Sequence, residues 1–452
     1  MQIIHRNFCS YMNENKTIQQ VVRNELCTGC GTCAGTCPQN SIKMVINRKK
    51  GIFFPVVDKE SCSKCGICVK VCPGHSVDFN TLNREIFGME SEDVFLGHCL
   101  SFYAGYSTDD ITRYNSTSGG LVTALLIFTL EEGIIDGALV TGMSEENPLE
   151  PLPFIARTRK DIVSAAGSKY CPVPANVALK EILRTGDGER FAVVGLPCHL
   201  HGLRKIESLH NGLKRKLVLH FGLFCNHTPS LLAIEYILNK VYVNKKEVKK
   251  LDYRGEGWPG KMQITVNNKK LMLEDYWDKG FGSLFCPWRC SLCADAVNEL
   301  SDISFGDAWI GEYSKDIMGT SLIISRSKKG EELLKNALDK GVISLEPATR
   351  NKVIWSTRQV TKFKKAAPVR FSLLKVMSKK VPDYKTEFPK PGVTVYLSSL
   401  YCYFRMYLGK RRFLWSLLWN LSCWSGIPRI MVLRIIKFLG LYRIVARVVR
   451  GF

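Results

Sequence analysis

The chain has 452 residues, of which 46% are hydrophobic and 23% charged, and it carries 18 cysteines. The length exceeds one small core and implies two or three domains, while the apolar and charged balance excludes a disordered chain and an integral membrane channel. The formal charge of +22 is concentrated at one end, because residues 391–452 hold ten Lys or Arg and no Asp or Glu.

Disulfide-dense chains are usually short, so this length argues against a secreted scaffold. The start, MQIIHRNFCSYMNENK, has no apolar core region and no small-residue cleavage site. We expect a cytoplasmic, reducing environment in which thiolates serve metals. Residues 1–20 read as an N-terminal tail.

Residues 21–85 carry one pattern twice. CTGCGTCAGTCP gives Cys27, Cys30, Cys33, Cys37 and Pro38; CSKCGICVKVCP gives Cys62, Cys65, Cys68, Cys72 and Pro73. Short steps let three thiolates of one loop cap three irons of a cubane, and the fourth cysteine serves the neighbouring cluster. The expected ligands are therefore Cys27, Cys30, Cys33 and Cys72 for one [4Fe–4S] cluster, and Cys62, Cys65, Cys68 and Cys37 for the other. Zinc, the alternative, more often takes two separated C-x-x-C pairs. Gly31 and Gly66 suit loops that wrap a cluster closely. The module predicts an α+β ferredoxin-like fold.

NSTSGGLVTALLIFTLEEG, residues 115–133, places Ser116, Thr117, Ser118, Gly119 and Gly120 before an apolar helix running to about Glu131. Free amides and the helix dipole make such an N-terminus an anion site, unless it is an ordinary capped, buried helix. AAGSKYCPVP adds Gly167, Ser168, Lys169 and Tyr170, either a phosphate-facing loop or plain surface.

RFAVVGLPCH and LVLHFGLFCNHTPS read as buried strands ending at Cys198 and Cys225, each followed by a helical segment. Two such units suggest an α/β domain with a largely parallel sheet and both cysteines at its carboxyl edge, where sites in such folds gather. CPWRCSLC then supplies Cys286, Cys290 and Cys293. Cys198, Cys225, Cys290 and Cys293 are the favoured ligands of a third cluster, with Cys286 a rival and inert buried thiols the alternative. Cys9, Cys99, Cys171, Cys402 and Cys423 are expected to be structural. Gly255, Gly257 and Gly260 spell G-x-G-x-x-G, but Pro259 lies inside it and the strand-like KMQITV follows, so a turn is expected rather than a dinucleotide fingerprint.

VPDYKTEFPKPGV, residues 381–393, is proline-marked and reads as the centre of a linker over residues 376–394. In the basic, aromatic segment 395–452, FLWSLLWNLSCWSGI is uncharged but falls short of the roughly 20 residues that span a bilayer. Trp415, Trp419 and Trp424 suit a membrane interface, and Arg443, Arg447 and Arg450 share a helical face. We expect a peripheral anchor on an anionic membrane surface, with docking of a partner subunit the alternative. No nucleic-acid-binding fold is recognised.

STSGG, GSKY, GLPCH, FCNHTPS, GEGW, CSLC and SDISFGDAW occur in the order expected for the β subunit of coenzyme F420-reducing hydrogenase and its dehydrogenase relatives. The chain resembles that family over about residues 99–310, within a domain expected at 95–375. The added N-terminal module resembles the architecture of electron-input subunits of deazaflavin dehydrogenases. The resemblance implies FAD, held by Ser116–Gly120 and Gly167–Tyr170, beside a [4Fe–4S] cluster on Cys198, Cys225, Cys290 and Cys293. It places Arg254, Gly257 and Trp258 near the flavin face or substrate entrance, and Asp307 in a structural or flavin-adjacent turn. His199 stands where relatives often have glutamine, and Cys286 is additional.

The expected activity is an oxidoreductase passing electrons between reduced coenzyme F420 and one-electron carriers. Two other readings keep the same parts: a ferredoxin-dependent reductase of a small organic molecule, and a non-catalytic electron-transfer subunit of a membrane complex. No paired cysteine motifs for a nickel–iron site are seen, so hydrogen chemistry would belong to a partner redox subunit.

Overall fold

A computed structural model describes residues 17–277 and 281–420. The N-terminal module begins with a helix, Ile18–Arg23. The antiparallel hairpin Ile42–Asn47 and Ile52–Val57 follows, in register from Ile42 opposite Val57 to Asn47 opposite Ile52. Each cysteine run enters a short helix, Thr32–Gly35 or Ile67–Lys70, through a left-handed glycine: Gly31 at φ 84° and Gly66 at φ 73°. Both glycines serve tight turns that a side chain would strain.

The larger body is built on an eight-stranded sheet. Its spatial order is Ile343–Pro347, Ser101–Ser107, Ser321–Ser325, Ile303–Asp307, Leu217–Leu223, Phe191–Gly195, Gly137–Met143 and Pro151–Ala156. The four strands from Ile303–Asp307 to Gly137–Met143 pair in parallel, as the strand–cysteine–helix units imply. The sheet is nevertheless mixed rather than largely parallel, because Ser321–Ser325, Ile343–Pro347 and Pro151–Ala156 pair antiparallel with their neighbours. Short apolar runs reveal a buried strand but not its direction. The helix Leu121–Glu131 is apolar all round and buries Leu121, Leu125 and Leu126 against the sheet strands. The glycine-rich GEGWPG segment is a turn, joining Val248–Gly255 to the antiparallel strand Lys261–Val266.

The expected linker is corrected, and the expected tail is described only as far as residue 420. Asp383–Lys385, inside residues 376–394, is a strand paired in parallel with Ser76–Asp78 of the N-terminal module. The helix Val393–Gly409 packs on the body: Gly409 comes so close to Leu284 that an added Cβ would lie 2.0 Å from its carbonyl oxygen. Trp415 is 5% exposed and packs edge-on against Tyr236 and Phe285. It is a core residue and not an interface anchor, because its indole N–H is satisfied internally by the Gly409 carbonyl at 2.9 Å. Trp424, Arg443, Arg447, Arg450, Cys423 and Cys9 lie outside the described residues, as does the Trp419 side chain. Among the described residues no helix is long and apolar enough to cross a membrane.

Candidate redox site

The cysteine thiols gather in three groups, the third of which also has Cys286 beside it. Burial and then the neighbouring Cys72 and Cys30 thiols raise Cys27 above its ordinary range, and Cys33 is raised by burial and by Cys30, Cys72 and Cys27. Cys72, the fourth cysteine of the second run, thus sits with the first run. Cys68 is pushed up to about 11 by burial, with Cys65, Cys37 and Cys62 adding to it. Cys37 sits with the second run, so the thiols are grouped in the crossed arrangement. Cys198 is raised by burial and by Cys30, Cys225, Cys290 and Cys293, and Cys225 is pushed up to about 12. Among the described residues no three thiol, imidazole or carboxylate groups converge as ligands of a single ion. The thiols lie close enough to repel one another's charge without closing on one point, which suits a polynuclear group held at its corners.

The groups form a series. Cys33 feels Cys68 of the second group, and Cys198 feels Cys30 of the first before its own companions. The second group lies at the outside, flanked by exposed Ser61, Ser63 and Lys64. Close docking fixes the join between module and body. Asn176 donates its side-chain N–H to Thr32 Oγ1 at 2.8 Å and to the His199 carbonyl at 2.9 Å, and its backbone N–H to the Cys30 carbonyl at 3.0 Å. Lys205 donates to the Cys72 carbonyl at 3.1 Å, and Arg289 to the Pro73 carbonyl at 3.1 Å and the Tyr384 hydroxyl at 2.8 Å.

Two departures noted in the sequence have a defined place in the fold. His199 accepts from the Leu196 N–H at Nδ1 and donates to the Val173 carbonyl from Nε2. Burial lowers it to about 4, so it is a neutral clasp between the 170–176 segment and the helix Pro197–Glu207. Cys286 is buried in a small apolar cluster with Cys402 and Met406, against which Cys290 packs, and it feels the Cys290, Cys402 and Cys225 thiols.

Cations complete the thiol environment. Arg289, Lys364 and Arg370 are 4%, 1% and 0% exposed. Among the described residues none pairs with a carboxylate; their acceptors are carbonyls and a phenol. Arg370 Nη1 has no hydrogen-bond partner there. A buried charge needs an anion. For Lys364, burial opposes the charge, but Cys293, Cys225, Cys290 and Cys286 together hold it above its usual range. The donor set therefore fits an anionic thiolate–iron group.

A second constellation forms at the carboxyl edge of the parallel strands. Thr117 Oγ1 accepts the Ser168 N–H at 2.7 Å, joining the STSGG and GSKY segments across 51 residues. Ser118 donates to the Thr320 carbonyl, and Gly119 N–H to Ser321 Oγ, both at 3.0 Å. Ser116 donates to the Thr112 carbonyl at 2.7 Å. Gly119 cannot carry a side chain, since a Cβ would lie 2.5 Å from the Gly105 carbonyl oxygen. Gly120 and Gly167 are left-handed, at φ 74° and 81°.

Tyr170, Arg254, Trp258 and Asp307 converge beside these loops. Arg254 forks onto Asp307 at 2.9 and 3.2 Å and donates to the Tyr170 hydroxyl at 3.2 Å. Trp258 Nε1 donates to Asp307 at 2.9 Å. Burial opposes the Arg254 charge, but Asp307 and Tyr170 outweigh it and keep the guanidinium protonated. Gly257, at φ 79°, would place a Cβ 2.5 Å from the Ile317 carbonyl oxygen. Lys169 does not reach outward: its three donors go to the carbonyls of Ala165, Ala166 and Gly167, and burial lowers it to about 8.

Aromatic side chains bridge the two constellations. Tyr170 stands 5.0 Å from Trp277, and Trp277 stands 6.1 Å from His227, two residues beyond Cys225. The helix Arg350–Lys365 touches both ends, donating from Ser356 to the Asp307 carbonyl at 3.1 Å and from Lys364 to the Cys290 carbonyl at 3.5 Å. Trp277, Lys364 and Arg370 were not singled out in the sequence. The lysines of TKFKK carry the signature of a solvated face, yet Lys364 and Lys365 are buried.

Comparisons with known proteins follow the same division. The 4Fe-4S dicluster domain model matches residues 26–75. Two models of the coenzyme F420 hydrogenase/dehydrogenase beta subunit, one for its N-terminal part and one for its C-terminal part, match residues 102–180 and 188–351. The coenzyme F420 hydrogenase subunit beta of Methanothermobacter thermautotrophicus is 30% identical over 257 residues, covering 56% of this chain and 86% of that protein. The chain belongs to the coenzyme F420 hydrogenase/dehydrogenase beta subunit family. A coenzyme F420-dependent sulfite reductase of Methanocaldococcus jannaschii, another relative, is 30% identical over 338 residues, 71% of this chain and 47% of that protein. A chain in the F420-reducing [NiFe] hydrogenase complex from Methanosarcina barkeri superimposes with a TM-score of 0.53 at 25% identity, covering 65% of this chain and 98% of that one. In this member of the family a 4Fe-4S dicluster module precedes the beta subunit fold.

Proposed function

We propose that this protein is a flavin- and iron–sulfur-dependent oxidoreductase that exchanges electrons between reduced coenzyme F420 and one-electron carriers, using FAD and three [4Fe–4S] clusters. The observation that supports this reading is the series of three thiol groups running from the module surface toward the sheet edge where STSGG, GSKY and Arg254 meet. The relatives' names supply the deazaflavin, and the partner is a soluble carrier or a partner redox subunit.

In this reading Cys27, Cys30, Cys33 and Cys72 hold the middle cluster, Cys62, Cys65, Cys68 and Cys37 the outer one, and Cys198, Cys225, Cys290 and Cys293 the inner one. The Ser116–Gly120 loop, the amides at the start of Leu121–Glu131 and Gly167–Tyr170 bind the FAD phosphates and ribityl chain. FAD supplies the conversion between a hydride, two electrons at once, and carriers that take one. Arg254, fixed by Asp307, presents a permanent charge and fixes Tyr170 and Trp258 in place beside the cofactor. Lys169 holds the end of the helix Arg159–Ser164 and shapes the loop from behind.

The test is anaerobic purification followed by cofactor analysis and rapid mixing. The proposal expects one FAD and about twelve irons per chain, and faster flavin reduction by reduced coenzyme F420 than by reduced ferredoxin. Faster reduction by ferredoxin would instead support a reductase of a small organic substrate. A protein without flavin would support a purely electron-transferring subunit.

A further inference from the structure

We propose that Lys364 sets the reduction potential of the inner cluster, raising it through a fixed positive charge buried beside the ligands. The inference rests on the three-cluster reading above.

Lys364 lies in the last turn of Arg350–Lys365, and its successor shows how unusual it is. Lys365 is equally buried, but it has an acidic partner, Glu299, at 2.6 Å. Lys364 points the other way. Its ammonium, 1% exposed, donates at 3.5 Å to the carbonyl of Cys290, one of the proposed ligands. No carboxylate pairs with it among the described residues. A helix C-terminus does attract cations, but the dipole is worth far less than a full counter-charge in a dry site.

Each electron that enters a cluster makes it more negative by one. Burial alone disfavours that more highly charged state, and so lowers the potential. An ammonium fixed within the same dry region favours the reduced state and offsets the burial. Exposed cations cannot act in this way: Lys64, beside the outer group, is screened by water and salt. Arg370 supports the inner loop from behind, donating to the Ser291 carbonyl at 2.5 Å. Lys364 is thus a positioning residue for charge and not a ligand.

The experiment compares full-length wild type with Lys364→Met, which keeps the stem and removes the charge, and Lys364→Arg, which keeps the charge. Iron content is measured first, followed by a potentiometric titration read by electron paramagnetic resonance. The expected result is unchanged iron and one cluster wave displaced downward in Lys364→Met by at least tenfold in its oxidation–reduction ratio, about 59 mV for one electron. Lys364→Arg should stay near wild type. Loss of about four irons in Lys364→Met, with retention in Lys364→Arg, would overturn the inference by showing that the charge holds the cluster in place instead of setting its potential. About twelve irons with unmoved waves in Lys364→Met would overturn the inference alone. Wild type with only about eight irons would overturn the three-cluster reading, and the inference with it.

Discussion

Replacing Gly35 with alanine tests the join between the dicluster module and the body. Gly35 closes the helix Thr32–Gly35, within the first cysteine run. An alanine Cβ there would lie 1.9 Å from the Asn176 carbonyl oxygen, 3.0 Å from its carbon and 3.3 Å from Leu179 Cβ. The obstacle is backbone, and the Asn176 side chain is fixed by Thr32 and His199. Overpacking typically costs about 1–3 kcal/mol when neighbours can give. Here they cannot, so we expect at least about 3 kcal/mol, more than a hundredfold in the folded-to-unfolded ratio. Gly186→Ala is the control, since a Cβ at Gly186 meets nothing within 4 Å. Urea unfolding under anaerobic conditions reads the stability, and freeze-quench spectroscopy reads electron exchange between module and body. Gly35→Ala should unfold at markedly lower urea and exchange electrons more slowly. Equal midpoints for Gly35→Ala and Gly186→Ala would refute the docking.

Cys37→Ser should remove the outer cluster, ligated otherwise by Cys62, Cys65 and Cys68, and lower the iron content by about four; spectroscopic loss of the middle cluster instead would show that the ligation is not crossed. Asp307→Asn leaves Arg254 buried without its partner, and should cost about 3 kcal/mol in urea unfolding and weaken FAD retention on gel filtration; an unchanged midpoint would count against the network. Burial pushes Glu299 up to about 7, with Asp295 adding to it against Lys365. The folded state therefore binds the extra proton, and stability present below about 4.5 is lost as pH rises through about 7, by about 3 kcal/mol. Glu299→Gln should flatten the pH–stability curve over that window, and a curve parallel to wild type would be the failing result. Trp415→Ala should lower stability by about 3–5 kcal/mol, as the burial of its ring requires, and thermal melting compared with wild type checks it.

What the sequence disclosed was set by how local each signal is. The dicluster run was legible because ligand spacing is written along a few residues. The strand–cysteine–helix units at Cys198 and Cys225 were legible for a similar reason. Strand direction was not, since Ser321–Ser325 and Pro151–Ala156 are apolar whichever way they run. The meeting of Tyr170, Arg254 and Asp307 depends on three segments brought to one sheet edge. The family resemblance grouped these segments, but spacing alone could not. Lys364 and Trp415 were hidden for opposite reasons. A lysine-rich helix reads as solvated and a basic, tryptophan-rich segment reads as interfacial, whereas tertiary packing buried both residues.

The central claim is that electrons from a deazaflavin reach the clusters of this one chain. Stopped-flow spectroscopy of anaerobic protein mixed with reduced coenzyme F420 tests it most directly. The predicted result is bleaching of the flavin band, followed by loss of cluster absorbance in the same preparation. A loaded protein whose flavin and clusters both stay oxidised after mixing would contradict it.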